Sequence, residues 1–306
     1  MTARPAPIVR FSVVESTQTT AFELAAGGAA DRTVVVADHQ SAGRGRRGRT
    51  WADAPGTSLL VSILVRPRVA PVLLATFSIA TGVAVAEALD RATGIEARLK
   101  WPNDVRVRGR KLAGILVESR IGAPAAADDD ATGIGGSEPR RTHSTPPTPC
   151  VGPVVPVAET RIGGTEPRRT HSTPPTPCVG PAAPVTMVIG VGLNLAQRTF
   201  PSELADRATS VVIETGRVPD HDAMLETLLE EFDAWRARLE TQGFDPVRER
   251  WLAWSETIGC RVTVDTVSGV AVGLDADGAL LVDDGRGVQR IVAGEIAPEV
   301  DHAARR

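Results

Sequence analysis

The chain has 306 residues, a hydrophobic content of 42% and a formal net charge of −3. This length predicts one large domain or two unequal ones, and the apolar content is sufficient for a sizeable core. The slightly acidic balance argues against a general nucleic-acid binder, because neutralising phosphates requires a clear excess of basic residues.

The cysteine content and the hydropathy pattern indicate the cellular compartment in which we expect the protein. Three cysteines in a chain of this length do not make a disulfide framework, so we expect a reducing, cytoplasmic environment. Residues 1–16 lack the long apolar stretch of a signal peptide. No uninterrupted apolar run reaches membrane-spanning length, so we expect a soluble protein with no membrane partner.

The first third of the chain has the pattern of an α/β protein. Residues 33–37 and 58–65 are short β-rich runs that predict strands. Apolar residues then recur at helical spacing over residues 73–89, and Gly94 is a plausible stop signal for that helix.

Two further predicted strands flank a proline-rich segment whose composition differs from that of the rest of the chain. They are residues 111–119, KLAGILVES, and residues 185–195, VTMVIGVGLNL, which could pair as a hairpin with an enlarged loop. The segment between them, about 122–185, holds 13 of the chain's 23 prolines and includes two near-identical copies, 134–157 and 162–185. This composition cannot build a core, so it predicts a disordered or polyproline-like insertion. Its duplicated histidines and cysteines lack the spacing of a zinc site.

The C-terminal part changes from helical to strand periodicity. Residues 222–240 form the clearest amphipathic helix, whose apolar stripe predicts core packing. Apolar and polar residues then alternate over 258–297, and the DADG sequence at 275–278 is a hairpin signal. These features predict a small β-barrel of the SH3 type that serves as an accessory module.

A short, intensely basic window carries the first chemical signal. In residues 40–51, QSAGRGRRGRTW, four arginines alternate with glycines, and we call this window the arginine loop. Glycine lets the backbone approach a ligand closely, and guanidinium groups bind phosphate or carboxylate oxygens bidentately. The window therefore predicts a flexible anion-binding loop that could become ordered over a polyphosphate.

Other interpretations of the arginine loop are weaker. It contains the G-x-G-x-x-G pattern of dinucleotide-binding proteins, but the glycines lead into another strand instead of a helix, and no acidic ribose-binding residue follows. A phosphate-binding P-loop would need G-K-[ST], which is absent. A solvated basic loop and an RNA-binding segment remain alternatives, although the loop is short and Trp51 is its single aromatic residue.

A second constellation follows the predicted helix. It consists of KWPNDV, residues 100–105, and GRKLAGILVES, residues 109–119. The residue before a proline avoids helical backbone angles, so Trp101 predicts an extended entry to a polar turn. Lys111 directly abuts an apolar strand, and Gly114 leaves room there for a ligand. A lysine in this position could neutralise a carboxylate that attacks a phosphate.

Taken in order, these motifs closely resemble the catalytic domain of biotin–protein ligases. The resemblance rests on Gln40 with GRGRRGRTW, then KWPND, GRKLAGILVE and GVGLN, and it runs from about residue 8 to residue 300, interrupted by the insertion. It implies an α/β (α+β) fold with a mixed sheet, related to class II aminoacyl-tRNA synthetases, in residues 8–256. It also implies an SH3-like C-terminal domain in residues 257–300, and a short form of the enzyme without an N-terminal DNA-binding domain.

The resemblance assigns roles to individual residues. Gln18 stands where the family has asparagine and is longer by one methylene. The implied biotin-binding residues are Ser16, Thr17, Gln18, Gln40, Arg44, Gly45, Arg46, Lys111, Gly114 and Leu116. The implied nucleotide-binding residues are Arg46, Trp51, Lys100, Asn103, Lys111 and Asn194. The implied catalytic residues are Lys111, Arg44, Arg46 and Asp104, and Asp104 is also the candidate ligand of Mg²⁺.

The same resemblance implies the reaction and its participants. Biotin would be activated with ATP and Mg²⁺ as biotinyl-5′-AMP and then transferred to a lysine of a biotin carboxyl carrier protein or domain. A homodimer is compatible with the sequence, and no DNA partner is expected, since only some seven residues precede the first strand.

Three alternatives stay open. A lipoate–protein ligase would share the fold and the adenylation chemistry, but it resembles the GRGRRGRTW and KWPND motifs only loosely. A biotin-responsive regulator would need a DNA-binding element. A module that only binds biotin would not need the phosphate-binding groups of Lys111 and the arginine loop.

Overall fold

The computed structural model describes residues 7–121 and 185–297. The prediction of a proline-rich, disordered insertion falls on residues 122–184 and lies outside the described residues. The strands of the described chain are β1 (Ile8–Val14), β2 (Val34–Gln40), β3 (Ser58–Val65), β4 (Arg98–Lys100), β5 (Asp104–Val107), β6 (Arg110–Ile121), β7 (Val185–Asn194), β8 (Arg261–Val264), β9 (Val267–Leu274), β10 (Leu280–Asp283) and β11 (Val288–Ile291). Its α-helices are α1 (Thr17–Ala26), α2 (Thr76–Thr93), α3 (Val211–Thr215), α4 (His221–Gln242) and α5 (Asp245–Trp254).

The larger sheet is mixed, as expected. Its seven strands lie in the order β1-β2-β3-β7-β6-β5-β4, and β1 pairs with β2 in parallel while the other neighbours are antiparallel. The predicted pairing of the strands on either side of the insertion is confirmed, since β6 and β7 form an antiparallel ladder from Ala113 and Leu193 to Ile121 and Val185. All eight residues of β3 are buried, because this strand lies inside the sheet between β2 and β7 and helices pack on both faces.

Helices cover both faces of this sheet. Helices α2, α4 and α5 pack together on one face, and the apolar stripe predicted for α4 is buried there. Helix α2 ends at Gly94, which adopts a left-handed conformation (φ 72°) and donates its N–H to Asp90 O at 2.8 Å. On the opposite face, Phe22 of α1 packs against Leu64 and Val188. The sequence analysis did not predict α1.

The predicted C-terminal β module is a four-stranded antiparallel sheet in the order β11-β10-β9-β8. The DADG turn joins β9 to β10, with Gly278 at φ 85°. Indole Nε1 of Trp101 donates to Gly278 O at 3.1 Å, so this module is bonded directly to the KWPND turn of the larger sheet. No helix of the described chain is long and apolar enough to span a membrane.

Candidate active site

The floor of the candidate site is formed by glycines on two neighbouring strands, β6 and β7. Gly192 of β7 is the cross-strand neighbour of Gly114 on β6, and Gly190 is the neighbour of Leu116. Along a strand, alternate side chains point to the same face, so Gly190 and Gly192 share the face of Val188, on which α1 packs. The glycines therefore form a flat floor beside the N-terminus of α1, on which other side chains can pack closely.

Trp51 and Lys111 cover this floor. A Cβ added at Gly192 would lie 2.5 Å from Cε2 of Trp51, and a Cβ at Gly114 would lie 2.9 Å from Nζ of Lys111. Both contacts are shorter than real Cβ atoms show, so a side chain at Gly192 would displace the rigid Trp51 ring, and one at Gly114 would displace the flexible end of Lys111. The Lys111 Nζ lies 5.7 Å from the centroid of the Trp51 ring, within cation–π range.

One end of the site is a cluster of hydroxyl and amide groups. The Oε1 of Gln40 accepts from the backbone N–H of Thr17 at 2.8 Å and from its Oγ1 at 3.1 Å. Ser62 Oγ lies 2.8 Å from Thr17 Oγ1. The buried Oγ of Ser16 has no hydrogen-bond partner among the described residues. A buried hydroxyl without a partner is rare in folded proteins, so Ser16 is suited to bonding a ligand.

Gln18 is oriented into the sheet. Its Nε2 donates to Val188 O at 3.0 Å and to Leu116 O at 3.4 Å, while its Oε1 lies 3.1 Å from Ser62 Oγ. The length of the Gln18 side chain thus lets its amide reach two backbone carbonyls. Most of its hydrogen-bonding capacity is used within the protein.

The arginine loop is folded as a tight hairpin. Arg44 and Thr50 form an antiparallel bridge, Trp51 N–H donates to Gly43 O at 2.9 Å, and Gly45 N–H donates to Arg49 O at 2.7 Å. Arg47 takes a left-handed conformation at the tip (φ 55°). This backbone directs the four arginine side chains to different parts of the molecule.

Each of these arginines has its own anchor. Arg44 pairs with Glu118 of β6 at 2.7 Å. Arg46 donates to Asn103 Oδ1 at 3.0 Å and to the carbonyl of Gly294 at 3.3 Å. The remaining two arginines pair with carboxylates of the C-terminal module. These pairs are Arg47 with Asp265 at 3.2 Å and Arg49 with Glu295 at 2.7 Å. The loop therefore bridges the larger sheet and the C-terminal module.

Lys111 is held by both its side chain and its backbone. Its Nζ lies 2.5 Å from Oδ1 of Asp104, which is on the neighbouring strand β5. Its backbone N–H donates to Arg207 O at 2.8 Å, and its carbonyl accepts from Thr209 N–H at 2.9 Å. The segment after β7 therefore pairs with Lys111 in a parallel bridge and restricts the lysine's backbone.

Burial shifts the pKa values of two cations near Asp104. Desolvation, followed by repulsion from Arg106, lowers the pKa of Lys100 below the ordinary lysine value. Desolvation is also the main cause that lowers the pKa of Arg46, although the attraction of Asp104 opposes it. Both side chains would gain from a negatively charged ligand, because such a ligand replaces part of the hydration that burial removes.

Asn194 lies at the end of β7 and is buried. Its Nδ2 donates to Thr209 O at 3.0 Å, and Ser58 Oγ lies 3.5 Å from its Oδ1. Its amide thus bonds to Thr209, which belongs to the segment that also pairs with Lys111. Asn194 therefore stabilises this wall of the site.

These groups enclose one cavity of about 700 Å³. Every site residue predicted from the sequence lines it: Ser16, Thr17, Gln18, Gln40, Arg44, Gly45, Arg46, Trp51, Lys100, Asn103, Asp104, Lys111, Gly114, Leu116 and Asn194. Arg44, Arg46 and Lys111 therefore share a common cavity. The lining residues that the sequence analysis missed include Ser62, Arg106, Arg207, Glu256, Arg261 and Glu295. Glu295 belongs to the C-terminal module, so that module contributes to the wall of the cavity.

The cavity has an excess of positive charge. Eight arginine and lysine side chains line it, against three carboxylates, namely Asp104, Glu256 and Glu295. Each of these carboxylates already pairs with a cation. Asp104 pairs with Lys111, Glu256 with Arg106, and Glu295 with Arg49. The remaining positive charge is suited to a polyanionic ligand. No cluster of three or more potential metal-ligating side chains occurs among residues 7–121 and 185–297.

The comparisons with known proteins agree with this geometry. The model of the biotin/lipoate A/B protein ligase family matches residues 10–127, and that of the biotin protein ligase C-terminal domain matches residues 257–297. A biotin–[acetyl-CoA-carboxylase] ligase of Paracoccus denitrificans is 31% identical over 92% of this chain and 96% of its own length. The chain belongs to the biotin/lipoate A/B protein ligase family.

Two further relatives are similar over most of the chain. The bifunctional ligase/repressor BirA of Bacillus spizizenii is 29% identical over 93% of this chain and 71% of its own length. The biotin protein ligase of Aquifex aeolicus, solved in complex with biotin and ATP, superposes with a TM-score of 0.68. It covers 95% of this chain and 97% of its own, at 24% identity, and so shows that the fold is shared.

Proposed function

We propose that this protein is a biotin–protein ligase that uses ATP to activate biotin as biotinyl-5′-AMP and transfers it to a lysine of a carrier protein. One observation carries the proposal: a single cavity holds Lys111, Arg44 and Arg46 together with a cluster of hydroxyl and amide groups. The cations suit a carboxylate and a phosphate, and the neutral cluster suits a ring that both donates and accepts hydrogen bonds.

Biotin would lie in the cavity beside the side chains that cover the glycine floor. Its ureido ring would occupy the end formed by Ser16, Thr17 and Gln40, where the Ser16 hydroxyl, which has no partner in the described part of the chain, is available for a hydrogen bond. Its carboxylate would then extend toward Lys111. Gln18 would support this end indirectly, because its amide is bonded to backbone carbonyls and to Ser62.

ATP would occupy the strongly cationic part of the cavity. Lys100, Arg46 and Asn103 would face the phosphates, and Trp51 and Asn194 would lie near the adenosine. The lowered pKa values of Lys100 and Arg46 indicate cations that are desolvated before any ligand binds. Fixed, desolvated cations stabilise developing negative charge without reorganising, which is their main value in catalysis.

Asp104 is the carboxylate that would hold Mg²⁺. Magnesium is usually bound through one or two carboxylates together with substrate phosphates, and Asp104 lines the cavity between Lys100 and Lys111. When bound, the ion would neutralise charge on the phosphates. Asp104 would have to exchange its bond with Lys111 for this role, which would release the ammonium toward biotin.

The first reaction step needs no protein nucleophile. A carboxylate oxygen of biotin attacks the α-phosphorus of ATP, the bond to the β,γ-phosphates breaks, and pyrophosphate leaves. Lys111 would neutralise the carboxylate on approach and the charge on the α-phosphate. Arg44 and Arg46, on the folded arginine loop, would cover the mixed anhydride and exclude water from it.

In the second step, the uncharged amine of the carrier lysine attacks the acyl carbon, an amide bond forms, and AMP leaves. Asp104 is the candidate group to orient that amine. The name of the Paracoccus relative supports a carboxylase carrier as acceptor. We place the reaction in the cytoplasm, where carriers and ATP are both accessible.

A lipoate ligase is the less supported alternative. The dithiolane ring of lipoate has no hydrogen-bonding groups, so the buried Ser16 hydroxyl, which has no partner among the described residues, would stay unpaired beside it. The Paracoccus denitrificans relative and the Aquifex aeolicus neighbour also carry biotin ligase names.

The decisive test is ATP-dependent incorporation of labelled biotin into an acceptor carrier domain, with labelled lipoate and a lipoyl domain in parallel. We expect incorporation of biotin alone, with pyrophosphate and AMP formed in equal amounts. Incorporation of lipoate at a comparable rate, or no transfer of biotin, would refute the proposal.

A further inference from the structure

The side chains of His39 and Asp53 form a pair at the base of the arginine loop, outside the cavity. Nδ1 of His39, at the end of β2, donates to Oδ2 of Asp53 at 2.8 Å. His39 immediately precedes Gln40, where the loop begins, and Asp53 lies two residues after Trp51, where it ends. Neither His39 nor Asp53 lines the cavity, so neither is placed to contact a substrate.

The burial of this pair is asymmetric. The Asp53 side chain is completely buried, whereas that of His39 is 28% exposed. The other carboxylate oxygen, Oδ1, has no hydrogen-bond partner in the part of the chain that the structure describes. A buried carboxylate is costly unless a donor compensates it, so His39 is the group that makes the position of Asp53 tenable.

The pair reinforces a stem of backbone hydrogen bonds. Gly56 N–H donates to Asp38 O at 2.8 Å below the pair, and Trp51 N–H donates to Gly43 O at 2.9 Å above it. Without His39, Asp53 would move toward water and draw the returning arm of the loop with it. That arm carries Trp51, which packs on the glycine floor.

The outgoing arm is affected as well. Gln40 follows His39 directly in the chain, so the contact of His39 also restricts the backbone that carries Gln40. The Gln40 amide is bonded to Thr17 in the neutral cluster of the cavity.

We infer that His39 and Asp53 are positioning residues that hold the arginine loop closed over the substrates by fixing both of its arms. The part of this inference that concerns substrates rests on the proposed function. The part that concerns the loop itself does not, so the two can be tested separately.

The loop is tested first, on the full chain without ligands. Its arginines are trypsin sites, and cleavage after residues 44–49 can be followed by mass spectrometry apart from cleavage elsewhere. We expect H39A and D53A to be cut in the loop about tenfold faster than the wild type, because cleavage follows the population of the open form. The matched control is D222A, which removes an exposed carboxylate paired with Arg10 at 2.7 Å, and it should be cut at the wild-type rate.

The reaction is tested second. H39A and D53A should raise the KM for biotin more than they lower kcat, and should consume more ATP per biotin transferred, because an open loop lets water reach the adenylate. H39N should restore both properties and the resistance to trypsin, since its amide nitrogen can stand where Nδ1 stands. Wild-type trypsin resistance and KM in H39A and D53A would overturn the inference, as would an H39N variant no better than H39A. A wild-type protein without biotin-dependent pyrophosphate release would refute the proposed function and leave the trypsin result valid.

Discussion

The ammonium of Lys111 lies 2.5 Å from Oδ1 of Asp104, across the pair formed by β5 and β6. Both side chains are partly accessible from the cavity, at 31% and 26% exposure. The two groups assigned to the reacting carboxylate and to the metal therefore neutralise each other before substrates arrive. Substitution of either one therefore changes the charge that the other presents to the cavity.

K111A should abolish formation of biotinyl-AMP. Loss of one preorganised cation at the reacting phosphate costs about a hundredfold or more in rate. Pyrophosphate release in the presence of biotin and ATP, without acceptor, measures this step directly. R10A, which removes an exposed arginine outside the cavity, is the control and should retain full activity. Unchanged turnover in K111A would remove Lys111 from the mechanism.

D104N should raise the Mg²⁺ concentration needed for half-maximal adenylation. The amide keeps the shape of the carboxylate but loses its charge. We expect a shift of about tenfold or more, since even the loss of an outer-sphere partner typically weakens metal binding by 10–100-fold. The measurement is pyrophosphate release titrated with Mg²⁺ at fixed ATP. An identical Mg²⁺ dependence in both proteins would show that Asp104 does not hold the ion.

G192A should impair the use of ATP without unfolding the protein. The new Cβ would lie 2.5 Å from the Trp51 ring and push it off the glycine floor. Small displacements of a substrate-positioning group can cost up to about a hundredfold, so we expect kcat/KM for ATP to fall by about tenfold to a hundredfold. G273A is the control, because its Cβ would meet only Leu281 at 4.0 Å. Equal kinetics in the two variants would contradict the role of Trp51.

As the pH is raised, ATP binding should weaken at a lower pH than the titration of an ordinary lysine would cause. Burial and the nearby Arg106 lower the pKa of Lys100, so its charge is present below that lowered pKa and is lost as the pH rises through it. The KM for ATP should therefore increase with pH across this range. K100R should move the increase to higher pH, because arginine stays charged. The same pH profile in both proteins would exclude Lys100 as its source.

Many residues of the cavity could be predicted because they lie in motifs that follow one another along the chain. Lys111, Arg44 and Asn103 come from three separate segments, yet each was recognisable by its neighbours. Strand periodicity also predicted the antiparallel partnership of β6 and β7, since both segments are apolar and flank the insertion.

Other features depend on packing that no local pattern reveals. Ser62 enters the site because β3 pairs with β7 in one particular register, which places it beside Gly190. Glu295 enters because the C-terminal module bonds to Trp101 and to the arginine loop. Helix α1 was missed because Thr17 and Gln18 begin it with polar residues that are nevertheless buried. The inward orientation of Gln18 likewise depends on carbonyl groups about a hundred or more residues away.

The residues that separate β6 from β7 in the sequence, 122–184, are joined to the sheet at the end of the β6–β7 ladder that lies far from the cavity. Ile121 and Val185 face each other as the last pair of the ladder, and Ile121 lies seven residue steps along β6 from Gly114 on the cavity floor, a distance of roughly 23 Å. Chain of almost any length can therefore leave and re-enter the domain here without altering the register that sets the binding site. The same junction is a suitable place to graft a tag, a reporter or a second domain.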